Sequence, residues 1–268
     1  MERTNLKKFF SNKFDIVFSI GEDCSCTSYL RRCNLQNYSY PFDWLTNAPF
    51  KNRITLIYDD FENFLNINDL KPLVKKANNE NEKKFDLYEN IKNEIYFYHD
   101  FPAGLNINES HKIVSEKYQR RIKRFYNEIE KSQKILFVWL SHSKLHSEEK
   151  IIDAYEKLHN KFSNKEIYLL IIENNTENKS INLKNNHVLI INQDTKSDDK
   201  KHHYDKTMGN KTNNLKVFKK IKLNITFKAK IKKLLYIICK NIVSLIPYRK
   251  LRQQLKQNLN MFFYHAKL

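Results

Sequence analysis

Glycine is almost absent from this 268-residue chain: three are present, Gly21, Gly104 and Gly209. A Walker-type phosphate loop and a GxGxxG dinucleotide fingerprint need closely spaced glycines so that backbone can approach phosphate, and three scattered ones exclude both. Acidic residues are missing from the last 63 positions, since all 30 Asp and Glu lie at or before Asp205. The net charge of +18 is therefore not a property of the whole chain. The acid-free segment holds 16 of the 48 Lys and Arg, which leaves 32 basic against 30 acidic groups, a net of +2, in residues 1–205. Met1 to Phe10 lacks an apolar run of signal-peptide length, so a cytoplasmic location is expected. Cysteine is also sparse. Of the four, Cys24 and Cys26 are spaced C-x-C without a matching second pair, which fits neither usual zinc-ligand spacing nor a disulfide framework. Reduced thiols are expected, with no metal and no cofactor.

What is present is apolar and aromatic content, 41% and 13%, enough for the core of one domain of about 200 residues. Residues 15–20, 94–98, 134–140, 167–172 and 187–191 are short apolar runs, continuous rather than alternating, as in parallel strands covered on both faces. Between them, 24–33, 52–66, 110–132 and 147–162 have helical patterning. The alternation predicts a three-layer, doubly wound α/β domain with a mostly parallel sheet over 1–205, followed by a basic helical tail over 206–268. Polar runs at 174–186 and 195–214 read as surface loops, and the His202-His203 pair in the second as solvated.

In such sheets ligands bind beyond the carboxyl ends of the strands. The residues placed there are Gly21 to Cys26, His99-Asp100, Ser141-His142, Glu173 and Gln193-Asp194. Gly21, Glu22 and Asp23 form a strand-to-helix turn that would line a substrate, and Cys24 falls in the first turn of the helix. Unpaired N–H groups and the helix dipole favour an anion there, which predicts a lowered thiol pKa, with Glu22 and Asp23 opposing it. Asp23 doubles as a helix N-cap. A lone cysteine is otherwise a small buried hydrophobe. A thiol nucleophile needs a base, and His99 would emerge at the same sheet edge. Asp100 or Asp43 would orient its ring, while His142 and His146 are competing bases. The aromatic segment Tyr38 to Leu45 puts Trp44 where it would either plug the core or wall a sugar or acyl site.

The runs Ser19-Ile20-Gly21-Glu22-Asp23-Cys24, Ser39-Tyr40-Pro41-Phe42-Asp43-Trp44, Tyr98-His99-Asp100-Phe101 and Tyr118-Gln119-Arg120-Arg121-Ile122 resemble a bacterial family of papain-like cysteine peptidases, over roughly 14–191. The resemblance implies a Cys24/His99 thiol site with roles for Asp43 and Asp100. It also implies a phosphate- or carboxylate-binding role for Arg120 and Arg121, which otherwise form a solvated basic face. Members of the family often accompany surface-polysaccharide genes, so the expected substrate is a glycan precursor or, failing that, a peptide. The expected activity is acyl transfer or hydrolysis; a noncatalytic scaffold of glycan assembly is the alternative.

From Leu215 onward lysines interleave with aliphatic residues, and residues 234–247 form an apolar stretch containing Lys240. It is too short for a bilayer, which needs about 20 apolar residues. Its character is that of an in-plane helix, which predicts attachment of 215–258 to an anionic membrane surface, at the cytoplasmic face of the inner membrane. The aliphatic run argues against nucleic acid as the partner.

Overall fold

The computed structural model describes residues 2–47, 49–73, 84–143, 145–175, 179–182, 186–196, 208–224 and 227–264. Two compact units are present, Met1–Lys222 and Leu223–Leu268. The first begins with α1 (Glu2–Ser11), β1 (Lys13–Phe14), β2 (Ile16–Ser19), α2 (Cys24–Arg32) and α3 (Phe50–Tyr58). Next come β3 (Leu70–Pro72), β4 (Phe85–Asn90), β5 (Ile95–Pro102), α4 (Ile107–Lys131) and β6 (Lys134–Ser141). It continues through α5 (Glu148–Lys161), β7 (Glu166–Asn174), β8 (Lys179–Asn182), β9 (Val188–Gln193) and α6 (Lys211–Phe218).

The main sheet has the order β2-β6-β7-β9-β8. The first four strands are parallel, and β8 joins antiparallel at the edge. The continuous apolar runs are explained by burial on both faces: every side chain from Ile135 to Leu140 is shielded from solvent. One face, through Phe18, Phe137, Trp139, Leu169 and Ile171, packs on apolar residues of α3, α4 and α5. On β6 the alternate Val138 meets α2, where Cys26 Sγ lies 3.4 Å from the Val138 carbonyl. Helix starts follow their caps. Asp23, Asn106 and Ser147 each accept a backbone N–H from the first turn of α2, α4 and α5.

The fold is thus mixed α/β with a parallel sheet and packed helices. Two expectations are corrected. The parallel strands follow one another outward in chain order, without the reversal that a doubly wound sheet contains. And β5, read as a parallel strand, belongs to a separate antiparallel sheet, β3-β4-β5. Its run 95–98 is apolar because Ile95 and Phe97 reach the core from one face only; Tyr96, Tyr98 and His99 do not.

The polar run 174–186 contains β8. Within the run 195–214, Thr195, Met208, Asn210 and Asn214 are buried rather than solvated; His202 and His203 lie outside the described residues. The first unit extends to Lys222 and includes α6, whose Phe218 ring stacks on Tyr29 at 5.2 Å. The second unit contains α7 (Phe227–Ser244) and α8 (Arg249–Tyr264), which contact each other. Among the described residues no helix is long and apolar enough to cross a membrane.

Candidate functional site

Beyond β2 the chain turns through Gly21 into α2. A Cβ on Gly21 would stand 2.4 Å from Cys26 Cβ and 3.3 Å from the Leu140 carbonyl, so only glycine lets α2 start this close to the sheet. Asp23 Oδ1 accepts the Ser25 N–H at 2.8 Å, which puts Cys24 at the first helical position with a part-exposed thiol. Burial pushes the Cys24 thiol up to about 11, and the Asp23 carboxylate adds to the rise; backbone hydrogen bonding opposes it and loses. The lowered pKa expected from the helix terminus is therefore absent. Cys26, fully buried, is pushed to about 12 by desolvation.

Glu22 organises the loop after β6. Its carboxylate accepts from Ser141 Oγ at 2.7 Å, from the His142 N–H at 3.1 Å and from Ser143 Oγ at 2.5 Å. This fixes His142 over the first turn of α2. Its Nδ1 lies 2.8 Å from the Thr195 carbonyl and its Nε2 2.9 Å from Ser25 Oγ. A carbonyl only accepts, so Nδ1 carries the proton and Nε2 is left as a lone pair that accepts the serine hydroxyl. Gly209 seals the ring from behind. It has φ +61°, and a Cβ there would fall 2.3 Å from His142 Cε1 and 2.3 Å from the Thr195 carbonyl.

One strand further on, Glu173 of β7 stands opposite Ser141 and is 1% exposed. Its Oε1 is 2.5 Å from His146 Nδ1, and its Oε2 accepts the His146 backbone N–H at 2.9 Å. The imidazole leans back over β6, with ring centroids 5.6 Å from Trp139 and 5.2 Å from Phe50.

The other expected residues lie elsewhere. His99 is exposed on β5, in the antiparallel sheet, with its ring 6.0 Å from Phe85; among the described residues no hydrogen bond joins it to Cys24. Asp100 is buried against α4, 2.6 Å from Lys117 Nζ, 3.9 Å from Arg121 and 3.2 Å from Tyr118 Oη. Asp43 is fully buried, accepting from Thr27 Oγ1, Gln36 Nε2 and the Tyr40 N–H; it is a brace under α2. Trp44 donates Nε1–H to Ser39 Oγ at 3.2 Å, with Arg31 over its ring at 5.0 Å. Arg120 is exposed, whereas Arg121 stacks on Tyr118. Ser25, Thr195 and Gly209 were not singled out by residue chemistry. The signal for all three is positional, at the carboxyl ends of strands or on a lone glycine in a polar run.

Cys24 thus stands at a helix start above the carboxyl ends of a parallel sheet, and the residue after it bonds an imidazole of fixed tautomer, the residue types that α/β thiol hydrolases use. Residues 15–193 match the family described as "Putative papain-like cysteine peptidase (DUF1796)". The chain belongs to this family, whose description is that of a cysteine hydrolase. It is also 25% identical over 135 residues to an uncharacterized protein of Acanthamoeba polyphaga mimivirus, an alignment covering 46% of this chain and 60% of the viral protein. No solved structure matches it.

Proposed function

We propose that the protein is a cysteine-dependent hydrolase or acyltransferase in which Cys24 is the nucleophile and His142, in place of His99, takes the thiol proton. The observation that carries this is the anchoring of His142 Nε2 to the first turn of α2, 2.9 Å from the residue next to Cys24, with Nδ1 locked on the Thr195 carbonyl. A thiol held near 11 is protonated at neutral pH, so the nucleophile forms only as a proton acceptor removes the proton. In the first half-reaction the Ser25 hydroxyl releases His142 Nε2, which takes the thiol proton as sulfur attacks an acyl carbon; the bond from that carbon to the leaving group breaks as His142 passes it the proton, and an acyl-thioester on Cys24 remains.

A second reading, with Ser25 as nucleophile, is favoured by the same 2.9 Å contact. Ser25 is fully buried, however, while Cys24 is part-exposed, which supports the thiol. Incubation of the full chain with p-nitrophenyl acetate followed by peptide mass mapping separates the two. Acetyl on Cys24, lost in Cys24→Ala and reduced in His142→Ala, is expected. Acetyl on Ser25, or turnover that survives Cys24→Ala, would sink the thiol reading; no acylation at all would favour the noncatalytic scaffold.

The substrate class proposed is an acylated surface-glycan precursor, with a peptide as the rival. The second unit supports attachment to an anionic membrane surface, because α7 and α8 carry lysines alongside exposed Leu234, Ile238, Ile242 and Leu251. Such a protein would work at the cytoplasmic face of the inner membrane.

A further inference from the structure

We infer that His146, carried by Glu173, is the base that activates the acceptor, water or a hydroxyl, in the second half-reaction. This rests on the Cys24 reading above and adds a separate residue for a separate step. The buried carboxylate of Glu173 has two partners among the described residues, the His146 backbone N–H and Nδ1, so both of its oxygens serve one residue. Burying a carboxylate at a strand end is costly unless it is paired, and here the pairing fixes one imidazole. A carboxylate on Nδ1 holds the ring in the tautomer whose Nε2 is a free lone pair, and it stabilises the imidazolium formed when that nitrogen takes a proton. Among the described residues Nε2 of His146 has no hydrogen-bond partner, and the side chain is 15% exposed. His142 differs on this point, since its Nε2 is engaged by Ser25.

The placement suits a second reactant. Glu173 lies two strands from β2 in the order β2-β6-β7, a lateral step of about 10 Å. The His146 ring spans part of it by leaning over β6 onto Trp139 and Phe50. Phe50 belongs to the helix whose Arg53 donates to the Glu22 carbonyl at 3.1 Å, so the helix on which the ring packs is tied to the turn that precedes Cys24. In the step inferred, the acceptor oxygen attacks the thioester carbon and its proton goes to His146 Nε2. The C–S bond breaks, and Cys24 leaves as thiolate and recovers the proton from the imidazolium, which returns the resting thiol.

Pre-steady-state turnover of p-nitrophenyl acetate by the full chain tests this. In His146→Asn and Glu173→Gln the burst that reports acylation should stay within about two-fold of the parent. Deacylation should slow by about 100-fold or more, as loss of general base catalysis requires, and acetyl-Cys24 should accumulate in the intact mass. The rise of deacylation rate with pH should flatten in His146→Asn. Free imidazole should restore deacylation in His146→Gly, a readout that a purely structural role would not move. Deacylation at the parent rate in His146→Asn, or a burst lost together with deacylation and unrescued by imidazole, would overturn the inference and leave the Cys24 nucleophile standing. Absence of acetyl-Cys24 in the parent would instead remove the nucleophile, and this step with it.

Discussion

At Cys24 two effects of one address compete. The helix start favours the thiolate, but the thiol is desolvated and Asp23 stands beside it, and burial wins. Alkylation by iodoacetamide should therefore rise with pH to a midpoint near 11, and Asp23→Asn, which keeps the cap and removes the charge, should shift that midpoint down. Peptide mapping distinguishes Cys24 from the other free thiols. Asp43 makes the converse case. Desolvation raises its carboxyl to about 6, against the Tyr40 N–H, Arg31 and the Thr27 hydroxyl, which favour the charged form. Its folded value lies above the unfolded one, so the folded state holds the proton more tightly, and this group's contribution to stability falls as pH rises from about 4 to about 6. Urea titrations across that window should show the fall in the parent and not in Asp43→Ala. That variant, leaving three donors without an acceptor, should lose about 3 kcal/mol.

Among the elements, β5 and α4 are clamped by Asp100 against Lys117 and Arg121. Asp100→Ala should cost about 2 kcal/mol in chemical denaturation, because it leaves the part-buried Lys117 and Arg121 and the buried Tyr118 hydroxyl without their acceptor, while the acetylation burst at Cys24 is unchanged. The pattern in β5 was legible as a strand but not as a partner of β4. Apolar continuity reports burial and says nothing about which sheet supplies it, and so His99 seemed to share an edge with Cys24. The runs in β6, β7 and β9 were read correctly because each is covered on both faces and bounded by turns. The crevice residues Ser141, His142 and Glu173 followed from their strand ends alone. Their pairing did not, since Ser25 meets His142 across 117 positions of sequence. Gly209→Ala adds a Cβ at positive φ into the His142 ring and the Thr195 carbonyl. A loss of about 2 kcal/mol or more is expected from strain and overpacking, together with a slower burst, read by thermal melts and stopped flow.

For the molecule as a whole, the charge of +18 separates into a nearly neutral enzyme-like segment and an acid-free helical one. Reversing Lys228, Lys230, Lys232 and Lys233 to Glu in the full chain should weaken binding to phosphatidylglycerol vesicles by more than about 100-fold, at about 1 kcal/mol per residue near the surface. The burst should be unaffected. Vesicle binding insensitive to these changes, or retained affinity for DNA in their absence of effect on lipid, would redirect the tail to another partner. The charge break at Asp205 was visible in sequence, but the compact unit closes at Lys222, because burial of Met208, Val217 and Phe218 decides the boundary and charge does not. The family match ends at residue 193, ahead of the glycine that backs His142. A chain cut at either 193 or 205 would thus be missing the rear wall of the histidine proposed as its base. A minimal domain should run through Lys222, and on the proposed reading inactivity of anything shorter would report a dismantled base, not an idle nucleophile.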